Sequence, residues 1–331
     1  MYSIYDKENL GFEYDDVLIM PNASKVSSRD DVDISVKLTP TLTLQFPLIA
    51  SPMVGVTDGK FVSQLSKLGG LGIFHRFYPD YDTMKYDIRD NISLSKDNFG
   101  MSIKVGSPDY IKYLQEFDPT VLLVDTANGY TEALVNYCEK IANYISKNKL
   151  RTLLIAGNVA TIEGLSNLHS VGCDIIRVGI GGGSPCSTRN QTGIGVPNLT
   201  AIMNCSGKNN GNYKIIADGG IKNSGDFVKA VVAGADLGMS GKLFAECFEA
   251  PNKGTLYGMA SRTHMKNTDT EIKSVEGIDI PIEKKHSLEQ FVREFGYGIK
   301  SAGTYLNAEN LNDIWIYGKF MRVTPSAIKR L

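Results

Sequence analysis

The sequence predicts an α/β chain folded as a closed (β/α)8 TIM barrel, with an N-terminal extension and a C-terminal flap and tail. Three observations predict it. Eight short apolar runs, most of them rich in β-branched residues, recur between Pro47 and Lys242; longer amphipathic stretches separate them; and each run carries a polar residue or a glycine at or near its C-terminal end. Near-continuous hydrophobicity suits strands covered on both faces, and parallel neighbours need a crossover long enough for a helix. Eight such units without a Gly/Ser linker favour a barrel over an open doubly wound sheet. A chain of 331 residues lies within the range of one undivided barrel, so 1–331 is read as a single domain. Within it, 1–46 are the lead-in, 47–242 the eight strand–helix units and 243–331 the flap and C-terminal segment.

Taken in order, the lead-in carries FEYDDVLIMP at 12–21 and reads as short strands. The eight runs are PLIAS (47–51), GLGIFH (70–75), FGMSIKV (99–105), VLLVDTA (121–127), TLLIAGN (152–158), DIIRVG (174–179), KIIADGG (214–220) and LGMSGK (237–242). FVSQLSKLGG, EALVNYCEKIANYISK and SGDFVKAVVAG supply helices between them, the first and last closing at glycine stops. Ser51, His75, Lys104, Asp125, Asn158, Gly179, Asp218 and Ser240 fall at or near the C-terminal ends of the runs, the rim on which this architecture carries chemistry. Beyond the eighth run, a polar, poorly periodic stretch at 261–285 reads as a flap over that rim. A helix over 287–306, broken near Gly296 and Gly298, and a basic tail follow.

Composition removes several function classes. Lys plus Arg number 35 and Asp plus Glu 36, a formal net charge of −1, which gives no footprint for nucleic acid or a membrane surface. The five cysteines, Cys138, Cys173, Cys186, Cys205 and Cys247, form no CxxC pair, and the histidines at 75, 169, 264 and 286 are scattered, so no zinc site is expected. The N-terminus is acidic with no signal-peptide core, and no apolar run approaches the ~18 residues of a membrane span. The expectation is a soluble, cytoplasmic chain whose partner is a small molecule, with neither nucleic acid nor membrane involved.

The most informative stretch is VGIGGGSPCSTRNQTGIGVP at 178–197. It follows an apolar run, sets Cys186 among glycines and places the hydroxyls of Ser187 and Thr188 beside it. Backbone without side chains lets a flat ligand come close to a thiol, and a thiol becomes a strong nucleophile as its thiolate.

Together these segments resemble the IMP dehydrogenase/GMP reductase family over essentially the whole chain. The resemblance is carried by FEYDDVLIMP (12–21), PLIASPM (47–53), DTANGYTE (125–132), AGNVAT (156–161), GIGGGSPCSTR (179–189), ADGGI (217–221), YGMAS (257–261) and EG (276–277). Only residues 78–98 stand between HRF and the third strand, where most dehydrogenases of the family insert a regulatory domain pair. The resemblance implies a purine nucleotide substrate, GMP or IMP, and a loop cysteine, here Cys186, that bonds covalently to C2 of the purine. It implies that Thr188 and Glu276 form a proton relay, and that Ser184, Asp218, Gly219, Gly220, Ser240 and Gly241 hold ribose and phosphate. Backbone N–H groups of glycine turns suit a phosphate, and a carboxylate suits ribose hydroxyls. Met259, Ala260 and Gly277 would lie along the substrate. Asp125, Asn128 and Arg189 would take a nicotinamide cofactor, NADPH. The carbonyls of Gly181, Gly183 and Cys186 resemble the family's potassium site, and the family assembles as homotetramers.

The family has two branches. Reductases convert GMP to IMP and ammonia with NADPH; dehydrogenases oxidise IMP to XMP with NAD and water. DTANGYTE and Thr192 resemble the reductase pattern, and the flap sequence MKNTDTEIKSVEG (265–277) lacks the Arg–Tyr pair with which dehydrogenases activate water. SPM, LGGLGIFH, Arg177 and IGVP (194–197) look like the dehydrogenases, while Val54, Arg76, Lys273 and Val275 depart from the reductase pattern. The expected function is therefore GMP reduction. The alternatives are IMP dehydrogenation, a related purine nucleotide substrate, or a nucleotide-binding paralogue without activity, which the joint presence of Cys186, Thr188 and Glu276 disfavours.

Overall fold

In the computed structural model, which describes residues 10–94, 96–206, 213–267, 275–324 and 327, the lead-in supplies β1 (Val17–Ile19) and a hairpin of β2 (Val36–Thr39) and β3 (Leu42–Leu44). Eight parallel strands follow: β4 (Leu48–Ala50), β5 (Leu71–Phe74), β6 (Phe99–Ile103), β7 (Val121–Asp125), β8 (Leu153–Val159), β9 (Ile175–Val178), β10 (Lys214–Asp218) and β11 (Leu237–Ser240). They pair in chain order, and β11 returns to β4 with Gly238 opposite Leu48 and Ser240 opposite Ala50, which closes the barrel. Each strand lies within its apolar run or extends one residue beyond it. In the C-terminal part, β12 (Thr255–Tyr257) pairs antiparallel with β13 (Asp279–Pro281), and β14 (Phe320–Arg322) pairs antiparallel with β1. Residues 1–9 of the lead-in, 268–274 of the flap (Lys273 among them), and 325–326 and 328–331 of the tail lie outside the described residues.

Short polar residues start the outer helices. Asp58, Asp80, Thr131, Thr161 and Asn223 accept the N–H of Phe61, Thr83, Leu134, Gly164 and Asp226 at 2.8, 2.7, 3.3, 3.3 and 2.9 Å. Each such cap stabilises its helix by about 1 kcal/mol. The glycine stops read from the sequence are Gly69 (φ 81°) after Gly59–Lys67 and Gly234 (φ 108°) after Ser224–Val232. Inside, Phe74 and Phe99 meet edge to face at 6.2 Å. Phe61, Phe244, Phe291 and Phe46 carry edge contacts outward to the C-terminal helix. Burying each ring contributes about 1.5–3 kcal/mol before entropy is counted.

One expectation is corrected. The C-terminal helix is not broken at its glycines but runs unbroken from Leu288 to Leu306. Those glycines serve close approach: a Cβ on Gly298 would stand 2.1 Å from Ser224 Oγ, and one on Gly296 3.2 Å from Ile34 Cδ1. Packing against the barrel and the lead-in outweighs the ~1 kcal/mol propensity cost of glycine within a helix. Among the described residues no helix is long and apolar enough to cross a membrane.

Candidate active site

A cavity of about 340 Å³ opens at the C-terminal rim of the barrel. Six of the eight strand-end residues line it: Ser51, Asp125, Asn158, Gly179, Asp218 and Ser240. Lys104 is exposed to solvent, and His75 is buried without lining the cavity. The His75 ring stacks on Tyr78 at 4.5 Å, and its Nδ1 accepts the Phe77 N–H at 3.2 Å, so the neutral ring is the form that fits.

Burial, with His264 nearby, pushes the His75 pKa down from 6.5 to about 4. A histidine with a depressed folded pKa contributes stability that is complete above its unfolded pKa and is lost as pH falls toward the folded one. Unfolding free energy should therefore decline by about 3 kcal/mol between pH 6.5 and 4 from this residue alone. His75→Asn, which keeps an acceptor for the Phe77 N–H, should flatten that limb in denaturant titrations run across the window, with turnover near pH 7.5 largely retained. An unchanged limb would show that His75 does not carry it.

The cysteine loop leaves β9 and is closed on itself by the Cys186 N–H donating to the Gly183 carbonyl at 3.0 Å. The flap holds it from outside. Ile278 N–H donates to the Pro185 carbonyl and Ser187 N–H to the Glu276 carbonyl, both at 2.9 Å, which makes a two-stranded bridge between Cys186 and Gly277. The approach is tight: a Cβ on Gly277 would lie 2.9 Å from Ser261 N. Glycine is therefore required after Glu276, and the Glu276 carboxylate is delivered behind the cysteine. Cys186 Sγ donates to Thr188 Oγ1 at 3.2 Å, and Thr188 Oγ1 donates to Glu276 Oε2 at 2.9 Å. Thr192 caps the same short helix by donating to the Thr188 carbonyl at 2.7 Å. A thiol, a hydroxyl and a carboxylate in series can carry a proton away from sulfur and return one to a leaving group.

Elsewhere on the cavity wall, charged side chains alternate in sign. Arg177 rises from β9 between Asp125 on β7 and Asp218 on β10, and its side chain is only 9 % exposed. Its Nη1 donates to Asp125 Oδ1 at 2.8 Å; its Nη2 and Nε donate to Asp218 Oδ2 at 2.7 and 3.2 Å. Asn158 Nδ2 adds a donor to the same Oδ2 at 2.7 Å. Arg76 Nε stands 3.5 Å from Asp125 Oδ2. Burial opposes the Arg177 charge, but the two carboxylates outweigh it and hold its pKa above the ordinary guanidinium value. Lys242 also lines the cavity and has no carboxylate partner among the described residues.

Gly219 and Gly220, at φ 98° and 77°, form the turn after Asp218. Tyr14 of the lead-in packs beneath this turn, with its ring 3.1 Å from where a Cβ of Gly220 would be. Burial, with Asp226, Glu13 and Asp218 nearby, pushes the Tyr14 hydroxyl well above its usual range. The lead-in also grips the cysteine loop, since Glu13 pairs with Arg189 and accepts the Asn198 N–H at 2.9 Å.

Of the residues named from the sequence, Gly181, Gly183, Ser184, Cys186, Thr188, Asp125, Asp218, Gly219, Gly220, Ser240, Gly241, Met259, Ala260 and Glu276 all line the one cavity. Gly277 stands behind it in the bridge to Cys186. Arg189 and Asn128 are not on its wall. Arg189 holds Glu13 and the Val196 carbonyl, at 2.7 Å for the latter, and Asn128 Oδ1 accepts the Tyr130 N–H at 3.0 Å within its own turn. The sequence reading assigned no site role to Arg177, Arg76 or Lys242. A charge inside the apolar run DIIRVG was the available signal for Arg177, because a buried guanidinium needs carboxylate partners.

A (β/α)8 barrel whose rim joins a cysteine in a glycine-rich loop to a hydroxyl–carboxylate relay and to paired aspartates has the features of a thiol-dependent enzyme acting on a polar small molecule. The comparisons make the class specific. The IMP dehydrogenase / GMP reductase domain model matches residues 11–330. The chain is 33 % identical over 339 residues to the GMP reductase of Buchnera aphidicola subsp. Schizaphis graminum, covering 96 % of each chain. It is 30 % identical over 395 residues to the inosine-5'-monophosphate dehydrogenase of Borreliella burgdorferi (98 % of this chain, 96 % of that one), and 31 % identical over 348 residues to the GMP reductase of Onchocerca volvulus (98 % and 93 %). The chain belongs to the IMP dehydrogenase/GMP reductase family.

Proposed function

We propose that this protein catalyses the NADPH-dependent reductive deamination of GMP to IMP and ammonia. The observation that carries the reading is the series Cys186–Thr188–Glu276, joined at 3.2 and 2.9 Å and facing the cavity. The thiol proton passes through the Thr188 hydroxyl to the Glu276 carboxylate, and the thiolate adds to C2 of the purine. The proton returns by the same path to the amine at C2, so C–N cleavage releases ammonia and leaves a C2–S thioimidate. When bound, NADPH supplies the hydride that C2 receives, and C–S cleavage then regenerates the thiolate and frees IMP. The sum is GMP, NADPH and two protons giving IMP, NADP⁺ and ammonium.

The remaining wall fits the two ligands. The bonds donated to Asp218 converge on Oδ2, leaving Oδ1 for ribose hydroxyls, while the Gly219–Gly220 and Ser240–Gly241 turns with Lys242 suit the phosphate. Asp125, which lines the wall beside Thr126 and Ala127, would hold a ribose of the dinucleotide. Potassium would rest on the carbonyls of Gly181, Gly183 and Cys186. Among the described residues, those of Gly181 and Cys186 accept no hydrogen bond and that of Gly183 accepts one, so the oxygens are available to a hard cation. Homotetrameric assembly and a cytoplasmic setting belong to the same reading.

The competing reading is oxidation of IMP to XMP. It draws on the dehydrogenase-like Arg177 and IGVP and on an IMP dehydrogenase relative of comparable identity. Against it stands a flap sequence with no Arg–Tyr pair to activate water. Nicotinamide absorbance followed in two mixtures separates them. GMP with NADPH should lose absorbance and release ammonia. NADH appearing from IMP with NAD, with no reaction in the first mixture, would reverse the assignment.

A further inference from the structure

We propose that Arg177 is a positioning residue shared by the two ligand halves of the cavity: one guanidinium fixes both the carboxylate that meets the nucleotide and the one that meets the dinucleotide. The role builds on the two-ligand cavity proposed above and adds a dependence between its halves. Asp125 and Asp218 come from strands separated by β8 and β9, and both stand on the same wall with side chains 19 % and 15 % exposed. Without a cation between them, two partly buried carboxylates would repel each other, and one would turn to solvent or take up a proton. Arg177 prevents this with three directed bonds, one to Asp125 and two to Asp218. A guanidinium offers five donors in a rigid plane, so it sets the rotation of each carboxylate and thereby which oxygen faces the ligand. Asn158 reinforces one side only, bonding Asp218 Oδ2 and the Gly179 carbonyl, at 2.8 Å for the latter. On the other side, Arg76 reaches Asp125 at 3.5 Å. Among the described residues, Arg177 alone bonds both carboxylates.

The consequence is a pattern that neither aspartate can produce by itself. Dissociation constants for GMP and for NADPH, each measured alone by calorimetry, need no turnover. Arg177→Met, which keeps the stem and removes the charge, should weaken both ligands at least ~10-fold. Asp218→Asn should weaken GMP and leave NADPH within about twofold, and Asp125→Asn should do the reverse. Arg177→Lys, a point charge without the planar fork that bonds both carboxylates, should also weaken both ligands, though less than Arg177→Met does. If the Met variant fails to fold, the Lys variant beside the two aspartate variants gives the same test. Arg177 variants that lose one ligand while the other stays within twofold, in a protein whose wild type binds both, would overturn the shared role and leave the function standing. A wild type that binds neither ligand would overturn the function and this role with it.

Discussion

Cys186→Ala should abolish turnover, by ~10⁴-fold or more, while nucleotide affinity stays within about 1–2 kcal/mol of wild type. The asymmetry follows from where the thiol stands. In the proposed reaction Sγ would meet the reacting carbon, whereas Asp218, the Gly219–Gly220 turn and Ser240, which line the cavity from other strands, would hold the nucleotide and are untouched by the change. Cys186→Ser should fall nearly as far, because a hydroxyl is a poor nucleophile where a thiolate is required. Intact-protein mass spectrometry after treatment with a 2- or 6-halogenated purine nucleotide should show one adduct on wild type and none on either variant. Cys138, Cys173, Cys205 and Cys247 are buried away from the cavity. Burial pushes the Cys205 and Cys247 thiols up to about 12, which keeps them protonated and unreactive. An adduct on any of these four would remove the central assignment.

The second large effect belongs to the relay. Glu276→Gln keeps the shape of the side chain and its contact with Thr188 but removes the proton acceptor. Deamination should fall ~10²-fold or more, the typical contribution of a positioned acid–base group, with NADPH affinity spared. Thr188→Val breaks the series between its ends and should look the same. If the hydroxyl and the carboxylate act on one proton, as proposed, the double variant should be hardly slower than either single one. Multiplied losses in the double variant, or near-normal turnover in Glu276→Gln, would show that the proton travels another way. Arg76 is a poor substitute, because a guanidinium stays charged at working pH, and His75 is a buried neutral ring that does not line the cavity.

The barrel was legible because its determinants are local. Each strand is an apolar run, and Asp58, Thr131 and Asn223 announce their helices one residue ahead. Cys186 was legible for the same reason, as a thiol among glycines. Its relay partner was not: Glu276 lies 88 residues beyond Thr188, and no periodicity joins them, so only the resemblance brought them together. Arg189 shows what a motif leaves out, its tertiary partner. It stands in GIGGGSPCSTR, and its ion-pair partner Glu13 lies 176 residues earlier in the chain. The strand-end rule placed His75 on the rim, but it could not foresee that the ring turns under Tyr78. Gly296 and Gly298 misled in the opposite direction, because a helix-breaking residue and a close-packing residue are the same letter in a sequence.

The central claim is that hydride reaches C2 of a purine held on Cys186 after its amine has left. The most direct measurement uses NADPH carrying deuterium in its transferable position, with GMP as the only nucleotide, and mass analysis of the product. The account predicts IMP with one deuterium at C2 and one equivalent of ammonia per NADPH consumed, all of it lost in Cys186→Ala. Unlabelled product, consumption of NADPH without IMP, or labelled IMP formed as well by Cys186→Ala would contradict it.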